Sequence, residues 1–489
     1  MAKKKVNLLK NIDARNLAVN TLLLFERRQQ RLSDSLEEFY RISSIDSRER
    51  RLAREIASGA CRAQITLDHI IGRYSSRPLR KVDPLVRQIL RVGLYQMIYL
   101  SGTPDFAAVH EAVEQVRQIR ITGAGTFVNA VLRAIQRDMD GPVEITDSLP
   151  PRSVLYIDET KGCRFNKPLL PDPSKNRVKH LSVALGYPPW LIERWLKQHG
   201  ESTTRSIALA QNRRPALTLR INTLHCSPAE LFERFIQANI ETFQAGPALQ
   251  LRRPASPQDL PGYAEGEFSV QDATAMSVAP LLKPRPGQRI LDLCAAPGGK
   301  TTHLAELMEN QGLIVACDIN AEKLNRLREN CRRLGITLVQ TTLPDELERI
   351  FEQSGPFDAV LVDAPCSNTG VLARRIEVRH WLKPAHLPAL ARQQSDLLDK
   401  AVRLIKKSGN ILYSTCSIDP MENEHLIRKF LERHPDRRLI EQKQILPIPS
   451  SPSTPPESPF SESSFLESPI PESLPYYDGG YIALLGPTR

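Results

Sequence analysis

The 489-residue sequence predicts a multidomain chain, with an all-α domain at the N-terminus and an α/β domain on a doubly wound, mostly parallel sheet at the C-terminus. Three observations carry this. From Ala14 to Gln136 apolar residues recur at helical spacing, and from Phe268 onward short apolar strands alternate with helical segments. The third is Arg289–His303, R-I-L-D-L-C-A-A-P-G-G-K-T-T-H, where a buried-strand pattern meets Pro297-Gly298-Gly299 and a helix pattern follows at once.

Size and composition bound the possibilities. The length suggests about three domains, and 41% hydrophobic with 25% charged residues is ordinary for a globular protein. The start, M-A-K-K-K-V-N-L-L-K-N-I-D, has no apolar signal core, and no run approaches the roughly 18 apolar residues of a membrane span. A cytoplasmic protein without membrane association is expected. Cys61, Cys163, Cys226, Cys294, Cys317, Cys331, Cys366 and Cys416 never come closer than 14 residues. No C-x-x-C motif exists, so reduced thiols and no metal are expected. The net charge of +11 favours a polyanionic partner. Residues 1–140 hold 24 Lys and Arg against 15 Asp and Glu, so most of the excess lies at the N-terminal end.

In order, Leu17, Val19 and Leu22 to Phe25 give the first helix an apolar face, and Asp46-Ser47-Arg48-Glu49 reads as a capped start for a helix through Leu52 and Ile56. Further helices are predicted at Leu67–Tyr74, Val82–Tyr99, Phe106–Ile119 and Gly125–Arg137, completing a helical domain over 1–140. Residues 141–185, rich in Pro, Asp and Lys, read as a linker in which Ser153–Asp158 and Lys161–Phe165 can form a short hairpin. A small α+β unit follows over 186–267, with a helix through Trp195 and His199, a strand Ala216–Ile221 and a helix Pro228–Asn239. In it, Arg220 and Asn222 stand at a strand end, where they either grip RNA backbone or finish the strand. The α/β domain over 268–489 has strands at Arg289–Cys294, Leu313–Asp318, Ile336–Gln340, Phe357–Asp363 and Asn410–Thr415. Residues 449–473, dominated by Pro, Ser and Glu, read as a disordered insertion, after which Leu474–Leu485 closes the sheet.

The glycine turn admits three ligand classes. A P-loop requires glycine where Cys294 stands, and a dinucleotide fingerprint does not place its glycines side by side. A nucleoside site remains. The next strand delivers Asp318, 20 residues after Gly298, as an acceptor for ribose hydroxyls or as a helix N-cap. Two other strands run into Asp363-Ala364-Pro365-Cys366-Ser367 and Ser414-Thr415-Cys416-Ser417, on the sheet edge that carries Asp292 and Asp318. Either thiol alone reads as a small buried hydrophobe. Together, at strand ends beside a nucleoside site, they read as chemistry. A free thiol, with a pKa of about 8.5, needs a favourable neighbourhood to ionise.

Two resemblances sharpen this. R-E-R-R-L-A-R-E-I-A-S-G-A-C-R, V-R-Q-I-L-R-V-G-L-Y-Q-M-I-Y-L and F-V-N-A-V-L-R resemble the helical RNA-binding domain of the NusB antitermination family. D-L-C-A-A-P-G-G-K-T, D-A-P-C-S-N-T-G and S-T-C-S-I-D-P-M-E-N resemble RNA 5-methylcytosine methyltransferases. The combination is similar to bacterial 16S ribosomal RNA cytosine-5 methyltransferases. It implies a NusB-like domain ahead of a Rossmann-like class I methyltransferase domain, S-adenosyl-L-methionine as cofactor, and small-subunit ribosomal RNA as partner of a monomer. Other readings are a cytosine-5 methyltransferase for tRNA or another rRNA, and an RNA-binding regulatory protein whose methyltransferase domain is inactive.

By the resemblance, Cys294, Ala295, Ala296, Pro297, Gly298, Gly299 and Lys300 surround the methionine and ribose portions, with Asp318 on the ribose. Cys416 is the nucleophile, Cys366 assists its elimination, and Asp363 hydrogen-bonds the cytosine ring and borders the cofactor. Arg220, Asn222, Arg374, Arg375 and Trp381 are expected on RNA. Two features depart from the family pattern. The third strand ends Val339-Gln340-Thr341-Thr342 without an acid, Asp345 reading as a helix cap instead, and R-R-I-E-V-R-H-W lacks the usual Pro-Asp.

Overall fold

A computed structural model describes residues 13–448 and 477–488, apart from 43–44, 101, 120, 147–148, 246–247 and 254. The insertion expected at 449–473 lies outside the described residues. The chain divides into two compact units, Met1–Arg213 with Arg375–Trp381, and Arg214–Arg374 with Leu382–Arg489.

The first unit is mainly helical. Its helices run Ala14–Arg28, Leu32–Ile42, Ser47–Arg62, Gln64–Tyr74, Pro84–Tyr99, Asp105–Gln118 and Ala124–Asp138. Asp46 caps the third as its spelling predicts, accepting the Glu49 N–H. Pro84–Tyr99 is buried on nearly every side, the pattern of a central bundle helix. It even buries Arg91, whose guanidinium is held by both oxygens of Asp68 at 2.6 Å.

The expected linker is folded. β1 (Met139–Glu144) leaves the last bundle helix directly, and with β2 (Val154–Tyr156) and β3 (Lys161–Phe165) makes an antiparallel sheet in the order β1-β3-β2. The predicted hairpin therefore supplies two of three strands, with β3 at the centre and β1 added beyond it. Leu155, Cys163, Phe165, Leu169 and Leu170 are buried, which a solvated connector would not do. Helices Arg177–Leu185 and Pro189–Ala210 complete the unit, the second broken at Gly200.

The second unit opens with β4 (Thr218–Ile221), β5 (Thr242–Ala245), β6 (Ala248–Leu251) and β7 (Phe268–Val270), an antiparallel sheet in the order β5-β6-β4-β7. Helix Pro228–Gln237, started by a Ser227/Glu230 capping box, buries Leu231 and Phe235 in that sheet's core.

A seven-stranded sheet follows: β8 (Arg289–Asp292), β9 (Leu313–Cys317), β10 (Val339–Thr342), β11 (Phe357–Asp363), β12 (Ile405–Thr415), β13 (Arg437–Ile445) and β14 (Gly480–Pro487). The order is β10-β9-β8-β11-β12-β14-β13; the first five are parallel, and β14 runs antiparallel to both its neighbours. Strand order reverses between β8 and β11, which is where open α/β sheets leave a crevice at their carboxyl ends. Period-2 alternation splits each strand between two cores. Leu291, Val315, Val360, Val362 and Ile411 face one, and Ile290, Ile314, Leu361 and Leu412 face the other.

In this sheet β10 lies toward the C-terminal side of the predicted strand, β12 begins at Ile405 rather than Asn410, and β13 has no counterpart in the sequence reading. β13 is an exposed edge strand written R-R-L-I-E-Q-K-Q-I, whose charges remove the apolar signal while protecting the edge. Asp345 is not the predicted helix cap, since Glu346 occupies the N-cap position of Leu347–Ser354.

Candidate active site

The site is built on the tips of β8, β9, β11 and β12. β8 ends in Asp292, which is buried and accepts the Thr301 hydroxyl at 2.7 Å. Burial pushes its carboxyl up to about 7, with Asp363 adding to the effect and Thr301 opposing it. The chain then turns through a cis Ala296–Pro297 peptide and Gly298 at φ 105°. A Cβ at Gly298 would sit 2.1 Å from Leu327 Cδ1, so the turn requires glycine in both backbone and space. Helix Gly299–Leu307 starts immediately afterward.

Asp318 follows β9 and reaches back to this turn. Its Oδ2 accepts the Ala296 N–H at 3.1 Å and its Oδ1 accepts the Asn320 N–H at 2.9 Å. Asn320, not Asp318, caps the next helix, which removes the alternative role for Asp318. Beside it Ile319 is 83% exposed, an apolar face that sequence reading passed over. A glycine turn, a carboxylate and an apolar surface at one strand tip fit a nucleoside, its ribose on the carboxylate and its flat base on the hydrocarbon. β10 ends at Thr342 with no acid, as the spelling indicates.

Lys300 links this side to the next strand. Its Nζ donates to Asp363 Oδ2 at 2.7 Å, while Ser414 Oγ donates to Asp363 Oδ1 at 2.7 Å. The parallel register that pairs Asp363 with Ser414 fixes the second contact. Burial, the largest influence, pulls the Lys300 ammonium down, but the charge and hydrogen bond of Asp363 together with the charges of Cys416 and Asp292 outweigh it and hold the group above its ordinary value. Cys294, in the same turn, has its thiol pushed up by burial and by Asp292, Asp363 and Asp318.

The two thiols meet. Cys366 Sγ and Cys416 Sγ are 3.0 Å apart, and the Cys416 thiol also donates to Asn368 Oδ1 at 3.2 Å. Asn368, left-handed at φ 58°, donates from Nδ2 to the Cys366 carbonyl at 2.8 Å, so one side chain touches both cysteine loops. Cys416 lines a pocket with Lys300, Thr274, Val278, Ser414 and Tyr481, whereas Cys366 is buried, 9% exposed. The hydrogen bond with Cys416 and burial push the Cys366 thiol well above its ordinary value. Gly370 closes the arrangement. Its N–H donates to the Cys416 carbonyl at 3.0 Å, and a Cβ there would meet the Gly479 carbonyl at 2.5 Å.

Of the five residues expected on RNA, Arg220, Asn222, Arg374 and Trp381 make contacts within the protein. Arg220, 3% exposed, donates from Nη2 to Glu306 at 2.6 Å and from Nη1 to the Gly299 carbonyl at 2.7 Å, bolting the helix behind the glycine turn. Asn222 is fully buried on the carbonyls of Gly266 and Leu334. Arg374 sits between Asp478 at 2.7 Å and Asp272 at 3.0 Å. Arg375 is half-buried in the first unit. In that unit Trp381 stacks on Phe25 with ring centroids 5.4 Å apart, and Arg379 lies 4.0 Å over the Tyr187 ring. From Arg375 onward, the segment without Pro-Asp thus packs within the first unit. Among the described residues no cluster of His, Cys, Asp or Glu could hold a metal ion.

A doubly wound sheet whose switch-point crevice joins a nucleoside-type site to a cysteine pair defines the class of a methyltransferase. Comparison with known proteins narrows this. Residues 279–453 match the 16S rRNA methyltransferase RsmB/F family, 12–137 the NusB family, and 187–257 the ferredoxin-like domain of RsmF/B-like methyltransferases. The chain is 33% identical over 433 residues to the probable ribosomal RNA small subunit methyltransferase B of Bacillus subtilis (strain 168), covering 88% of this chain and 90% of that protein. It is 32% identical over 435 residues to the corresponding Erwinia tasmaniensis protein, covering 88% and 93%. A methyltransferase homolog protein from Pyrococcus horikoshii superposes with a TM-score of 0.50 at 28% identity, over 65% of this chain and all of that one. The chain belongs to the ribosomal RNA small subunit methyltransferase B family.

Proposed function

We propose that this protein methylates carbon 5 of a cytosine in small-subunit ribosomal RNA, with Cys416 as covalent nucleophile and S-adenosylmethionine as methyl donor. The donor supplies an electrophilic methyl group on a sulfonium. Asp318 and the turn from Cys294 to Lys300 are the residues that would hold it.

The single observation that carries the reading is the asymmetric thiol pair, its sulfurs 3.0 Å apart, with Cys416 partly exposed on the pocket lining and Cys366 buried. Carbon 5 of cytosine is a weak nucleophile. Cys416, adding as thiolate to carbon 6, gives carbon 5 enamine character. Lys300 lines the same pocket as Cys416. Asp363, held by Lys300 and Ser414, is placed to hydrogen-bond the ring as addition proceeds. After the methyl arrives, water acting as base takes the carbon 5 proton, the freed electron pair restores the carbon 5–carbon 6 double bond, the sulfur–carbon 6 bond breaks and Cys416 departs as thiolate. Cys366, beside it and predominantly protonated, is placed to assist that departure.

The test is incubation with methyl-labelled S-adenosylmethionine and small-subunit rRNA, followed by digestion to nucleosides. Label in 5-methylcytidine is expected. Label in another nucleoside, or none with any RNA, would contradict the reading.

A further inference from the structure

The loops that carry the thiols are joined through a carboxylate with no part in the steps above. Glu422 is fully buried. Its Oε1 accepts the Ser367 N–H at 2.8 Å and Gln394 Nε2 at 2.9 Å, and its Oε2 accepts the Ser367 hydroxyl at 2.5 Å and the Ser417 hydroxyl at 2.6 Å. Ser367 follows Cys366 directly and Ser417 follows Cys416 directly. Gln394 also donates to the carbonyl of Pro365, on the other side of Cys366, at 3.0 Å. Tyr413 Oη donates to the Glu422 carbonyl at 2.7 Å, so the backbone is held as well.

All four donors are neutral. A buried carboxylate without a cation is expensive, and is tolerated only when its lone pairs are filled. A neutral side chain would fill this space at lower cost, so packing alone does not account for glutamate. What the carboxylate alone provides is two acceptor atoms that reach both loops, together with a negative charge beside Cys366.

We propose that Glu422 is the positioning residue of the thiol pair, clamping the Cys366 loop to the Cys416 loop so that the two sulfurs keep the spacing needed for addition and elimination. The proposal rests on the roles assigned above to Cys416 and Cys366. The charge has a second consequence. Cys416 and Glu422 act most strongly on Cys366, with Tyr413 also nearby, and Lys300 lines the pocket on the Cys416 side. After the hydrogen bond with Cys416, burial and the Cys416 charge, the Glu422 charge further raises the Cys366 thiol. The inner sulfur therefore keeps its proton while the outer one reacts.

Two variants separate clamp from charge. Glu422→Asp keeps the charge but shortens the reach by one methylene. It is expected to lower kcat about 100-fold with KM for RNA little changed, as displacements of about 1 Å do in preorganised sites, and to leave the Cys366 titration near wild type. Glu422→Gln keeps the reach and removes the charge. It is expected to move the Cys366 titration, followed by carbon-13 NMR of labelled cysteine Cβ, to lower pH, and the alkaline limb of kcat with it.

Thermal melting and S-adenosylmethionine binding check the fold of each variant. If either fails to fold, Ser417→Ala unhooks one loop without altering the carboxylate and is expected to lower kcat with KM retained. Wild-type kcat in Glu422→Asp, or an unmoved Cys366 titration in Glu422→Gln, overturns the proposal. The titration needs no RNA, so it stays decisive even if cytosine proves not to be the substrate. Absence of 5-methylcytidine with the wild type would instead strike the function proposed above.

Discussion

The two sides of the crevice are built differently. On the β8–β9 side Asp318 makes two backbone contacts and Ile319 is exposed, so the surface offered to a ligand is open. On the β11–β12 side Cys366, Asn368, Gly370 and Cys416 are bound to one another by side-chain and backbone hydrogen bonds, and little is free to move. A small molecule that must enter and leave each turnover suits the first. A covalent step that depends on sub-ångström placement of sulfur suits the second.

That contrast can be broken from either side. The largest effect is expected at Gly370→Ala. The new methyl meets the Gly479 carbonyl and the Cys416 carbonyl, so the thiol loops must part, and kcat should fall about 100-fold while S-adenosylmethionine affinity, measured by calorimetry, stays near wild type. Asp318→Ala should do the reverse. If Asp318 accepts from ribose as proposed, losing that charged acceptor costs about 1.5–3 kcal/mol, which is roughly a 10- to 100-fold rise in Kd, with a smaller change in turnover at saturating donor.

The smallest effect on turnover is expected at Asp292, which lies beneath the crevice. Its folded carboxyl keeps its proton up to about 7, against an ordinary value of 3.8, so the folded state binds the extra proton between these values. Stability should therefore decline as pH rises from about 4 toward 7, and Asp292→Asn should flatten that decline in denaturant unfolding.

The open side was the more legible in sequence, for a physical reason. A glycine turn between strand and helix, and a carboxylate at the next strand tip, are specified by residues close in the chain, so Gly298 and Asp318 stand where their spelling places them. β11 keeps its predicted bounds because an unbroken apolar run is the signature of a strand buried on both faces. The tied side rests on contacts that span the chain. Asn368 meets Cys416 across 48 residues and Glu422 meets Ser367 across 55. No local pattern announces either.

The same holds for cations. Arg220 looks like a surface ligand until Glu306, 86 residues away, draws it inside. Trp381 looks like a base-stacking residue until Phe25 takes its face. A motif states which atoms are present. Only the fold shows whether those atoms are already engaged.

The division of labour between the two thiols is tested most directly by trapping the covalent adduct. Cys366→Ala and Cys416→Ala are each incubated with S-adenosylmethionine and small-subunit rRNA and run on a denaturing gel. On the proposed assignment the outer sulfur adds and the inner one assists release, so Cys366→Ala should accumulate a denaturation-resistant protein–RNA adduct, and Cys416→Ala should form neither adduct nor 5-methylcytidine. An adduct that persists in Cys416→Ala and is absent from Cys366→Ala would contradict this assignment and exchange the two roles.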